Sequence, residues 1–159
     1  MGVFQNRQDR FEIAYRDYAD MLYRVALSYL SDAEDAEDAV HDTFVKFIRH
    51  TLPFKDESYE RAWLIRVAVN QCKDMLKKRR NHLTLDYAED VAQTENGGSE
   101  VLIALRHLDE KYRLCVELHY LEGFSVEETA VTLGVSVSAV KMRLSRGRQM
   151  LKEILEGEQ

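Results

Sequence analysis

The chain has 159 residues, 45% of them hydrophobic and 31% charged, with a formal net charge of −6. One proline and seven glycines are too few chain breakers for a many-turned β fold, and the length suits one medium domain or two small ones. The negative mean argues against a uniformly basic nucleic-acid binder, so charge has to be read segment by segment.

Helical periodicity begins at Phe11. Phe11, Tyr15, Tyr18, Leu22, Val25 and Tyr29 recur at alternating spacings of four and three, one face of an α-helix. Ser31 and Asp32 supply a start signal for a second helix carrying Ala36, Val40, Thr43, Phe44, Phe47 and Ile48. Its first half is crowded with Asp32, Glu34, Asp35, Glu37, Asp38 and Asp42. Carboxylates in a first turn complement the helix dipole, but here the acid runs well beyond one turn. Residues 51–58 read as a loop around Pro53.

A third helix is expected from about Tyr59 to Lys78, apolar around much of its circumference through Ala62, Leu64, Ile65, Val67, Val69, Cys72 and Leu76. One polar stripe interrupts it: Arg66, Asn70, Lys73 and Lys77 share a face, and the helix closes on Lys77, Lys78, Arg79 and Arg80. A helix buried except for one basic stripe has something to touch on that side. Residues 82–99 lose the periodicity, carry Asp86, Glu89, Asp90 and Glu95, and contain Gly97-Gly98, which marks an acidic linker. The expectation is an all-α chain of two small helical domains joined by a flexible linker, with boundaries at 1–81, 82–99 and 100–159.

Periodicity resumes with Val101, Leu102, Leu105 and Leu108, then Tyr112, Cys115, Leu118 and His119 up to Gly123. Ser125 and Glu128 have the spacing of a capping box. The short helix they open buries Val126, Ala130 and Leu133, Gly134 follows where a left-handed turn residue is wanted, and Ser136 caps a second helix. That helix buries Val137, Val140, Leu144 and Leu151, with Gly147 on the same stripe. It turns Ser138, Lys141, Met142 and Ser145 outward, and Arg143, Arg146, Arg148 and Lys152 keep it basic. This is a helix-turn-helix. Its second helix fits a major groove, with N-terminal residues toward base edges and flanking cations on phosphates.

Cys72 and Cys115 have no Cys-x-x-Cys spacing and read as reduced, buried thiols. The N-terminus lacks an apolar signal core and no apolar run approaches a membrane span, so the expected location is cytoplasmic, with no membrane insertion of the chain's own. There is no phosphate-cradling glycine loop, no His-Glu-x-x-His and no nucleophile elbow. His41, His50, His82, His107 and His119 have no metal-ligand spacing. The expectation is a protein that is not an enzyme and needs no cofactor.

Both halves together resemble the extracytoplasmic-function sigma factors of bacterial RNA polymerase. DAEDAEDAVHDTFVKF resembles the family's polymerase-binding segment. The resemblance implies docking on core RNA polymerase through Asp35, Asp38, Val40, Asp42 and Phe44, as contacts or supports, with His41 standing where the family usually has Gln. ERAWLIRVAVNQCKDMLKKRRN resembles the segment that meets the proximal promoter element. It implies roles there for Trp63, Arg66, Asn70, Lys73, Lys77, Lys78, Arg79 and Arg80, with a flipped base received within residues 52–59. Trp63 fits a core position as well as a DNA-facing one, and Asp74 can pair with Lys77 or Lys78. LDEKYRLCVELHYLEGFSVEETAVTLGVSVSAVKMRLSRGRQML resembles the domain that reads the distal element, implying contacts from Ser138, Lys141, Met142, Arg143, Ser145 and Arg146. Asp109, Met142 and Gly147 depart from the residues common in the family, which often has Pro, Ser or Thr, and Ala there. The resemblance further implies promoter DNA and an anti-sigma protein as partners.

Two other readings share part of this pattern. A stand-alone helix-turn-helix regulator accounts for the second half and should bind duplex DNA tightly alone. A protein-interaction adaptor that has lost DNA binding predicts no salt-dependent DNA affinity at all.

Overall fold

The computed structural model describes residues 3–82 and 100–157, and every regular element among them is helical. The chain divides into two compact units within the intervening segment. The stretch read as a linker, 82–99, lies outside the described residues apart from His82, the last residue of the third helix.

The first unit is a bundle of α1 (Val3–Leu30), α2 (Ala33–Arg49) and α3 (Glu57–His82), each packed against the other two. Leu22, Leu30, Leu64 and Ile65 are fully buried at its centre, each worth about 1.5–3 kcal/mol of transfer free energy. The start signal after α1 resolves into two roles. Ser31 takes a left-handed conformation at φ 60° and turns the chain. Asp32 caps α2, its carboxylate accepting the Glu34 N–H at 3.2 Å. Helix α3 starts earlier than its periodicity suggests because Asp56 caps it, accepting from the N–H of Ser58 at 2.9 Å and of Tyr59 at 3.1 Å. It also runs on through the whole basic run.

Two residues counted on the apolar faces are exposed. Tyr15 is 50% and Ile48 46% accessible. The buried seam of α1 is narrower than its apolar stripe, running through Ala14, Met21, Leu22, Val25, Ala26 and Tyr29. Tyr15 and Ile48 stand at the edge of that seam, beside a groove between α1 and α2.

The second unit consists of α4 (Glu100–Leu105), α5 (Glu110–Val116), a π-helical turn (Glu117–Leu121) that continues α5, α6 (Val126–Leu133) and α7 (Val137–Gly157). Its core joins Leu105, Leu108, Tyr112, Cys115, Val116, Ala130, Val140 and Leu144. The expected turn chemistry is present. Ser125 Oγ accepts the Glu128 N–H at 3.0 Å while Glu128 Oε1 accepts the Ser125 N–H at 2.9 Å. Gly134 sits at φ 69°, ψ 35°, and Ser136 Oγ accepts the Ala139 N–H at 3.1 Å. Both cysteines are buried and free, and the Cys115 thiol donates to the Val140 carbonyl at 3.7 Å. Gly147 is a packing residue: a Cβ there would lie 2.6 Å from Val116 Cγ2. The glycine costs α7 about 1 kcal/mol of helix propensity and lets α7 approach α5 closely. Among the described residues, no helix is long and apolar enough to cross a membrane.

Candidate nucleic-acid and protein interfaces

The acidic residues of α2 fall into two groups. Asp35, only about a quarter exposed, is ion-paired with Arg79 of α3. Arg79 also donates to the Leu30 carbonyl at 3.2 Å and reaches Asp32 at 4.0 Å. A residue expected on the polymerase face and one expected on the DNA face are therefore bound to each other, and both brace the α1–α2 turn against α3. Asp42 is half-buried and accepts from Gln71 Nε2 at 3.0 Å, while Gln71 Oε1 accepts from Lys46 at 3.1 Å.

Glu37, Asp38 and His41 point elsewhere. They are exposed and, with Asp20 and Tyr23 of α1, form the rim of a groove of about 660 Å³ between α1 and α2. Its apolar walls are Phe11, Tyr15, Val45 and Ile48, above Val40 and Phe44, which are 7% and 3% exposed and belong to the core. The Phe44 ring meets Phe11 at 5.8 Å and Tyr15 at 5.1 Å. Val40 and Phe44 thus support this surface from beneath, while Asp38 stands on it.

On α3, Arg66, Asn70, Lys73 and Lys77 form an exposed stripe, with Lys78 and Arg80 exposed beyond it. Trp63 is half-buried. Its ring lies 6.2 Å from Phe47, 4.9 Å from His50 and 5.7 Å from Phe54, and His50 stacks on Phe54 at 4.6 Å. This aromatic cluster anchors the loop between α2 and α3, leaving Leu52 69% and Tyr59 40% exposed. Hydrogen bonds from the Ser58 hydroxyl and the capped backbone hold the Asp56 carboxyl below its ordinary value. One turn on, burial pushes Glu60 up, with repulsion from Glu57 and Asp17 adding to it and Arg10 opposing it.

On α7, Ser138, Lys141, Met142, Ser145 and Arg146 are exposed and Arg143 is half-buried; Ser138, Lys141, Met142 and Ser145 share one accessible face of the helix. Two tyrosines outside the expected set take part. Tyr112 accepts a hydrogen bond from Arg146, which holds its phenol below the ordinary value. Tyr120 accepts from Arg148 Nη1, and that guanidinium lies 6.0 Å from the ring centroid. Tyr112 was counted on the apolar periodicity of its helix, and Tyr120 was marked by no pattern. The π-helical turn that orients Tyr120 has no periodic signature of its own.

Residues 14–82 match the family "Sigma-70 region 2" and residues 99–151 match "Sigma-70, region 4". The ECF RNA polymerase sigma factor SigE of Mycolicibacterium smegmatis is 33% identical over 88% of this chain, which spans 59% of that relative's length. The ECF RNA polymerase sigma factor SigM of Mycobacterium tuberculosis is 31% identical over 91% of this chain and 76% of its own length. Among solved structures, the sigma factor RpoE of Bartonella quintana, crystallised with the anti-sigma factor NepR, superposes with a TM-score of 0.74 at 27% identity, covering 94% of this chain and 99% of that one.

Proposed function

This chain belongs to the extracytoplasmic-function (ECF) RNA polymerase sigma factors, and from that membership we propose how its two units divide the work. The first unit, ending near residue 81, docks on core RNA polymerase and engages the melted proximal element. The second, from about residue 100, reads the distal element as duplex, and residues 82–99 join them. The protein is a cytoplasmic, non-enzymatic initiation factor, with promoter DNA, core polymerase and an anti-sigma protein as its partners.

The observation that carries this reading is the segregation of charge. An open acidic rim stands over an apolar groove on α2, while exposed basic stripes stand on α3 and α7. In the first unit, Asp38 is assigned to polymerase docking at the surface. Val40 and Phe44 hold that surface from below, and Asp35 and Asp42 shape it through Arg79 and Gln71. Arg66, Asn70, Lys73, Lys77, Lys78 and Arg80 face the proximal element. Arg79 is assigned to bracing the helices, and Trp63 to walling the loop that receives a flipped base, where stacking offsets the few kcal/mol of unstacking. In the second unit, Lys141, Met142, Ser138 and Ser145 face base edges, and Arg143 and Arg146 flank them toward phosphates.

Run-off transcription with core RNA polymerase on genomic fragments tests the reading. Discrete new transcripts that depend on this protein are expected. Their absence, combined with tight duplex binding by the free protein, would favour the stand-alone regulator.

A further inference from the structure

We propose that Tyr120 is a positioning residue that aims the guanidinium group of Arg148 at a phosphate of the distal duplex. The inference rests on the reading of α7 as the distal-element helix.

The exposed stripe Ser138, Lys141, Met142 and Ser145 continues, at helical spacing, to Arg148. Arg148 therefore lies on the reading face, one turn beyond the residues placed toward base edges, where the backbone is the available partner. Its side chain is not left to wander. The Tyr120 phenol oxygen accepts from Nη1, and the ring lies under the guanidinium with its centroid 6.0 Å away. Tyr120 is itself held. His119 meets it edge-on at 4.8 Å and 75°, and the His119 ring is pinned by Nδ1 at 2.7 Å from the Phe124 carbonyl. A carbonyl only accepts, so Nδ1 carries the proton.

The backbone beneath is the π-helical turn, where the Glu122 N–H bonds back to the Glu117 carbonyl at 3.0 Å. Such turns shift the angular position of the residues they contain, and this one sets Tyr120 beside α7.

Tyr120 is 47% exposed, so the bond to Arg148 covers little apolar surface and contributes little to the core. Its effect lies in restraining a long, rotamer-rich cation before DNA arrives, so that less ordering is left to binding. Because the Tyr120 oxygen accepts from Arg148, its own O–H remains a donor, and the pair offers a phosphate oxygen two converging donors.

The test uses holoenzyme reconstituted from core RNA polymerase and the full chain. Its affinity for promoter DNA is measured across a salt series, on templates with and without the distal element. Tyr120→Phe, which keeps the ring and removes the hydroxyl, is expected to weaken binding about fivefold on the full template. It should also flatten the log-affinity against log-salt slope by up to about one unit, the amount for one lost phosphate contact. The variant should behave like the parent on the template lacking the distal element. In an Arg148→Ala background, Tyr120→Phe should cost nothing further. An unchanged slope, or equal losses with and without Arg148, would overturn the positioning role. Lys141→Ala separates this failure from a wrong placement of α7: if it leaves affinity on the full template unchanged, the α7 reading falls, and the proposal with it.

Discussion

The acidic α2 and the basic α7 look alike in the sequence, each a helix with a long excess of one charge, yet their charges are used differently. In α2 much of the acid is internal to the unit: Asp35 is tied to Arg79 and Asp42 to Gln71, leaving Glu37 and Asp38 on the open face. In α7 the cations other than the half-buried Arg143 stay accessible, and Arg148 is held by a tyrosine, which restrains a guanidinium without neutralising it. A charge bound to its opposite within the same unit braces a fold, whereas one held by a phenol stays available to a ligand.

The sharpest way to break this comparison is at Phe44, which was expected near the docking surface and lies beneath it. Phe44→Ala should cost the fold about 3–5 kcal/mol, seen as a lower midpoint in urea denaturation of the full chain. A variant of normal stability with lost polymerase affinity would instead place Phe44 in the interface. Gly147→Ala comes next. The gain in propensity is about 1 kcal/mol, but the contact with Val116 leaves no room and overpacking costs about 1–3 kcal/mol. A net loss of up to about 2 kcal/mol is expected, and thermal melting that shows a more stable variant would contradict the close α5–α7 seam.

Arg79 sharpens the contrast within the basic run. Arg79→Ala removes the ion pair with Asp35 and the bond to the Leu30 carbonyl and should cost about 1–2 kcal/mol, discounted for partial exposure. Lys78→Ala should stay within about 0.5 kcal/mol. Equal, negligible effects in chemical denaturation would mean that Arg79 braces nothing.

The smallest effect expected is at Glu60. Burial raises its pKa in the folded state, so its protonated form is favoured by folding. That stabilisation is present at acidic pH and is lost as pH rises through the raised value. Glu60→Gln should therefore raise the melting temperature slightly at neutral pH and have no effect in acid. A uniform shift at all pH values would exclude titration as its cause.

The second unit was the more legible in sequence, because its short helices need explicit local devices. The Ser125–Glu128 box, Gly134 and Ser136 mark their own positions, and the outward stripe of Ser138, Lys141, Met142 and Ser145 on α7 is exposed. The first unit is built from long helices whose interactions are set by packing at a distance in sequence. Periodicity located α1 to α3, but nothing local says that Arg79 folds back on Asp35, or that Tyr15 falls outside the seam. The π-helical turn at Glu117–Leu121 was illegible for a related reason: one extra residue in a turn leaves the apolar pattern continuous from Cys115 to Leu118.

The division of work between the units is tested most directly by measuring the affinity of core RNA polymerase for two fluorescently labelled variants of the full chain, Asp38→Lys and Lys141→Ala. Asp38→Lys is expected to weaken core binding at least tenfold, a loss of about 1.4 kcal/mol, while Lys141→Ala should bind core like the parent. Parental core binding by Asp38→Lys, or an equal loss in both variants, would contradict the assignment of docking to the α1–α2 groove.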